Sequence, residues 1–186
     1  MLKLLRSLII IVGGLFVLLV APTLYAASSS TQAVVQSYGT NEALETGMVV
    51  GLVKGNASQV QALTIKDDTT MQGVVVAPNT AAISLSSGSN TNQVYVATSG
   101  RYNVLVSNEN GSIGIGDYIS VSSLDGIGMK AENTETTVLG KAAEAFTGNA
   151  NVISSATIKK IGGGTATVAI GSIPVNVAIE IGRAHV

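Results

Sequence analysis

The chain has 186 residues, 46% of them hydrophobic but only 4% aromatic and 11% charged, with no cysteine and a formal charge of −1. The missing cysteines exclude disulfides, thiolate metal sites, a thiol nucleophile and a lipidated N-terminal cysteine. Lys3, Arg6 and Arg183 are three of the ten basic residues; the other seven face eleven acidic ones, a net of −4 that offers nucleic acid no basic field.

In chain order, Lys3 and Arg6 precede an uncharged apolar run, Ser7 to Ala21, which Pro22 ends. Leu24-Tyr25-Ala26 then offers a small residue for a signal peptidase. This predicts an N-terminal apolar helix over residues 1–26, acting as a signal peptide or, if uncleaved, as a membrane anchor. A buried core helix would show a polar face, and this run has none. The basic residues in front place the remainder outside the cytoplasm. The expected location is therefore extracytoplasmic, secreted or membrane-anchored, with the membrane itself a partner of an uncleaved helix. Residues 27–32, rich in serine, read as a flexible linker.

Beyond the linker, short apolar segments alternate with turn residues, the pattern of an all-β domain. Expected strands are Ala33–Tyr38, Met48–Val53, Val60–Ile65, Gly73–Ala77, Gln93–Ala97, Tyr102–Ser107, Tyr118–Ser122, Val138–Ala143, Thr165–Ile170 and Val175–Ile179. Asn110-Gly111 and Asp125-Gly126 supply the positive φ of tight turns. Leu139–Phe146 also suits a short helix, since it carries Lys, Ala and Glu. The fold class expected is all-β, a small antiparallel barrel or sandwich: a β domain over 33–146, then a C-terminal β segment over 147–179 that reads as truncated.

Residues 180–186 have another reading. Ile181-Gly182-Arg183-Ala184-His185-Val186 is what ATC GGA AGA GCA CAC GTC encodes, part of a common sequencing adapter. Glu180, as GAG, supplies the AG that precedes it. The tail is expected to be an adapter artefact, to be left out of fold reasoning.

Two stretches resemble each other. Thr46-Gly47-Met48-Val49-Val50-Gly51-Leu52-Val53 is similar to Ile115-Gly116-Asp117-Tyr118-Ile119-Ser120-Val121-Ser122. Asp68-Thr69-Thr70-Met71-Gln72-Gly73 is similar to Glu135-Thr136-Thr137-Val138-Leu139-Gly140. Two duplicated hairpin modules in one barrel or sandwich would account for this; chance likeness among Gly/Thr/Val-rich segments is the alternative.

The run Asn110-Gly111-Ser112-Ile113, Gly116 to Ser122, Gly126-Ile127-Gly128-Met129-Lys130-Ala131 and Val138-Leu139-Gly140-Lys141-Ala142 resembles a β module of large bacterial surface proteins and phage tail-fibre regions. It is also similar to uncharacterised secreted or membrane-anchored proteins of candidate-phylum bacteria. The resemblance covers roughly Met48 to Phe146 and rests on glycine and strand pattern. It implies an extracellular structural or adhesive role, an oligomer, and further C-terminal sequence with membrane segments. No catalytic motif of the self-cleaving phage relatives is matched, so it implies no active residues.

Candidate chemistry is sparse. A Ser-His-Asp triad needs a histidine, and the chain's one, His185, lies in the adapter-like tail. Zinc sites lack both cysteine and histidine ligands. Gly126-Ile127-Gly128-Met129-Lys130-Ala131 has the glycines of a dinucleotide loop, but no amphipathic helix follows, and a hairpin turn fits better. Asp67-Asp68 and Asp117 suit calcium only in type, without a spaced series of carboxylates. Ser120, Ser122 and Ser123 with Lys130 would form a Ser-Lys dyad, against the plainer reading of a strand's solvent face. Tyr25, Tyr38, Tyr95, Tyr102 and Tyr118 are too dispersed for a carbohydrate platform.

The expectation is a non-catalytic structural or interaction module of the cell envelope. No catalytic, cofactor or metal residues are assigned and no cofactor is expected; the partner is an unknown envelope protein or the chain itself. The alternatives are a self-cleaving or serine-dependent hydrolase module and the lumenal part of a truncated polytopic membrane protein.

Overall fold

The computed structural model of the protein describes residues 34–78, 84–85, 92–160 and 163–181. The expected helix over 1–26, the linker over 27–32 and residues 182–186 of the tail lie outside them. The strands in chain order are β1 (Val34–Gly39), β2 (Val49–Val53), β3 (Asn56–Ala62), β4 (Met71–Val76), β5 (Ser84–Leu85), β6 (Gln93–Ser107), β7 (Tyr118–Val121), β8 (Gly128–Lys130), β9 (Thr137–Ala142), β10 (Val152–Lys159) and β11 (Thr165–Ile181). A short 3-10 segment, Ile65–Thr70, leads into β4. The chain is thus all-β over the described residues. Leu139, for which a helix was the alternative, lies in β9, because its neighbours β7 and β11 supply ladder partners on both sides.

All eleven strands belong to one sheet, and it is mixed where an antiparallel one was expected. β1 runs parallel to β3 and β5, and β6 runs parallel to β8. Alternation in sequence reports which face a residue occupies, not the direction of the neighbouring strand, so these parallel pairs left no mark. Two expected breaks are also absent: Gln93–Ala97 and Tyr102–Ser107 are one strand, β6, and Thr165–Ile170 and Val175–Ile179 are one strand, β11.

The strand pairings form two circuits that meet at β6. One passes from β6 through β4, β2, β3 and β1 back to β6; the other passes from β6 through β8, β7, β9 and β11 back to β6. The same scheme runs twice, with β6 closing the first circuit and opening the second. Val49 and Val50 of β2 face Val74 and Gly73 of β4, as Tyr118 and Ile119 of β7 face Lys141 and Gly140 of β9. Val50, Gly51 and Leu52 face Ala62, Gln61 and Val60, as Ile119, Ser120 and Val121 face Lys130, Met129 and Gly128. The loops repeat too. Gly47 N–H donates to Val75 O and Gly116 N–H to Ala142 O, both at 2.8 Å.

Tyr38, Val50, Val60, Val75 and Val96, one from each strand of the first circuit, form a buried cluster. Their counterparts Val104, Ile119, Ala142 and Val175 belong to the largest cluster, while Gly128 takes the fifth place. That largest cluster also joins Val49, Leu63, Met71 and Val74 of the first half to Leu139 and Phe146 of the second. Each such burial contributes about 1.5–3 kcal/mol, so the core binds the two halves together.

The circuits differ most between their fourth and fifth strands. Residues 77–92 make that connection in the first; residues 143–171 make it in the second, where β10 and the start of β11 form a hairpin arm.

Candidate functional site

The serines and the lysine of the candidate dyad are separated by the strand pleat and by an ion pair. Ser120 and Ser122 are fully buried. Ser120 Oγ–H donates to Thr137 O at 3.5 Å, and Ser122 Oγ–H donates to Leu124 O at 3.3 Å. Ser123 is held through its backbone, whose N–H donates to Glu109 Oε2 at 3.0 Å. Lys130 Nζ lies 2.8 Å from Asp117 Oδ2, with both side chains partly exposed. A lysine serving as base must be neutral and face its nucleophile; this one is paired with a carboxylate.

Asp117 therefore organises a turn. Its Oδ2 also accepts the Gly114 N–H at 2.8 Å. The hydrogen bond from Lys130, then that from Gly114, hold its carboxyl below the ordinary value. In the matching turn of the first circuit Met48 Sδ stands in the carboxylate's place, accepting the Glu45 N–H at 3.3 Å. Asp67 is likewise local: its Oδ2 accepts from Thr64 Oγ1 at 3.1 Å in the 3-10 segment. Among the described residues no three Asp, Glu, His or Cys side chains converge to hold a metal.

The glycines of the dinucleotide-like run serve a turn and a strand. Gly126 sits at φ 73° between β7 and β8, and Gly128 opens β8 beside Ile119. Of the described tyrosines, Tyr95 and Tyr102 pack on the cluster of Val35, Val76 and Ala97, while Gln72 Nε2 donates to Tyr38 Oη at 2.7 Å and Lys141 Nζ stands 4.6 Å above the Tyr118 ring. Burial pushes the Tyr102 hydroxyl up, and among the described residues it has no hydrogen-bond partner.

A chemically varied recess among the described residues is a groove of about 420 Å³ between the arm and the body, lined by Glu109, Glu132 and Glu135 together with Lys159 and Lys160. Burial raises the Glu135 carboxyl, the neighbouring Ser120 hydroxyl opposes this, and the charges of Asp68 and Glu132 add to the rise. Sequence reading missed the groove because its arm wall, β10, buries almost nothing and so carries no apolar stripe. It missed Asn108 as well. That side chain acts as a strand residue, its Oδ1 accepting the Ala169 N–H at 2.8 Å while its own backbone N–H donates to Ala169 O at 3.2 Å. Compared with known proteins, the chain matches no family model and no curated protein.

Proposed function

We propose that the protein is an exported, secreted or membrane-tethered module of the cell envelope, non-catalytic, in which two small five-stranded barrels share β6. The observation that carries this reading is the doubled pairing scheme with its matching registers. A scheme that closes on itself leaves few free strand edges and gives a stiff body suited to bearing other surfaces. The engagement of Lys130 by Asp117 and the burial of Ser120 and Ser122 support a structural role for the residues that would otherwise invite chemistry. The apolar leader supports export.

A phosphatase reporter that is active only outside the cytoplasm, fused behind residue 32, tests the location. It is expected to be active, and a silent reporter with the fusion intact in the cytosol overturns the reading. Incubation of the purified chain beside Ser120→Ala and Ser122→Ala tests the chemistry. A fragment that appears in the parent and disappears in either variant establishes the serine-dependent alternative.

A further inference from the structure

The arm ends in an uncovered strand edge. β10 pairs antiparallel with β11 from Ser154 opposite Ile170 to Lys159 opposite Thr165, and among the described residues it pairs with no other strand. Nearly all its side chains are exposed, on both faces of the ribbon. A two-stranded ribbon is marginal in water and gains from a third and fourth strand. Edge strands usually prevent such additions with charges, proline or bulges. Here the ladder shifts only at the start, between Val152 and Ser154, and residues 154–158, Ser-Ser-Ala-Thr-Ile, carry no charge, proline or glycine.

We infer that β10 is a homotypic docking edge, pairing antiparallel with β10 of a second copy about a two-fold axis at Ala156. This register sets Ser154 against Ile158 and Ser155 against Thr157, so hydroxyl faces hydroxyl on the exposed side and small Ala156 faces itself on the axis. Opposed Ser and Thr hydroxyls are favourable cross-strand neighbours. Charge selects both the direction and the occupant. In the antiparallel register Lys159 of each copy lies opposite Ile153, and the two Lys159 stand about 20 Å apart, beyond the screening length of about 8 Å at physiological salt. A parallel copy would set Lys159 beside Lys159, and like charges directly opposite are destabilising. A segment without charge along its length also suits an isologous contact, in which each copy offers the same edge to the other. The result is a four-stranded sheet, with β10 of each copy inside and β11 outside.

The inference names a partner for the interaction module proposed above and rests on that reading for its purpose, but the two fail separately. Location is decided by the reporter; pairing is decided with purified chain. Because the protein has no cysteine, single thiols report the register directly. Full-length chain in mild detergent, carrying Ala156→Cys, is oxidised and run on a non-reducing gel. Directly opposed Cβ atoms lie about 4.5–5.5 Å apart, near disulfide range, so Ala156→Cys is expected to give a covalent dimer. Ser154→Cys is the control, since its counterpart in the second copy stands about 13 Å away in this register. It is expected to stay monomeric. Adding Ser155→Lys to Ala156→Cys places a charge on the edge and is expected to lower the dimer yield at least tenfold, with circular dichroism showing the fold intact. The inference is overturned if Ala156→Cys gives no dimer, if Ser154→Cys gives as much, or if Ser155→Lys leaves the yield unchanged.

Discussion

Gly73 of β4 and Gly140 of β9 occupy the same place in the two circuits, at φ 154° and 152°. A Cβ on Gly73 would overlap the carbonyl oxygen of Ala97, and one on Gly140 would overlap that of Asn176, the matching residue of the closing strand. Each glycine lets the fourth strand press against the fifth more closely than any side chain permits.

Gly73→Ala and Gly140→Ala are each expected to lower stability by about 3 kcal/mol or more, as both a backbone overlap and a left-handed φ must be absorbed. Gly55→Ala serves as the comparison. It has a positive φ of 81° but open space around it, so its cost is expected near 1 kcal/mol. Urea unfolding of the three variants gives the ranking.

Phe146 is fully buried, and its backbone exchanges hydrogen bonds with Ile113 at 2.8 and 2.9 Å. Its ring also fills the space that a side chain at Gly171 would need. Phe146→Ala is expected to cost about 3–5 kcal/mol, read as a fall in the urea midpoint without a change in slope.

Acid should weaken the protein through Asp117. Its folded carboxyl is held below the unfolded value by Lys130 and the Gly114 N–H, so the stabilisation is fully present above 3.8 and is lost as pH falls through the lowered folded value. Asp117→Asn, which keeps an acceptor for Gly114 and loses the ion pair, is expected to cost no more than about 1 kcal/mol at neutral pH for so exposed a pair. Its stability is expected to decline less on the acid side, as measured by unfolding at successive pH values.

Glu135 has the opposite sign. Burial raises its folded carboxyl above 4.5, so the folded state binds the proton more tightly, and stability falls as pH rises from that value through the raised one. Glu135→Gln removes the ionisation and is expected to raise the melting temperature at neutral pH while leaving it little changed below pH 4.5. A lower melting temperature at neutral pH counts against burial as the cause.

Asn108 pins the arm, and its loss should be local. Asn108→Ala strips the Ala169 N–H of its acceptor, with an expected cost of about 1–2 kcal/mol. Amide exchange over β10 and the start of β11 is expected to accelerate, while exchange in β2, β4 and β7 stays as it was.

How far the fold could be read in advance follows from what each strand buries. Gly47 with Gly116, both at positive φ, and Gly73 with Gly140, both at a close backbone approach, announced the repeated pairing scheme, because a backbone demand that only glycine meets is written in the sequence wherever it recurs. β9 was found because Val138, Leu139 and Ala142 make it an almost wholly buried apolar strand, and the last part of β11 because Val175 and Val177 alternate with exposed Asn176 and Ala178. β10 was missed because both its faces meet solvent, and β8 because three residues carry no period. The candidate dyad was a matter of spacing alone: Ser120 and Lys130 are near in sequence, but the ladder sets Ser120 opposite Met129 and leaves Lys130 opposite Ile119.

Because β6 belongs to both circuits, the two circuits cannot be divided from each other. A cut before Gln93 deprives the first half of its closing strand, and a cut after Ser107 deprives the second half of its opening one. Neither fragment could be grafted or expressed as a sound piece, and heat or denaturant should dismantle both together in a single transition.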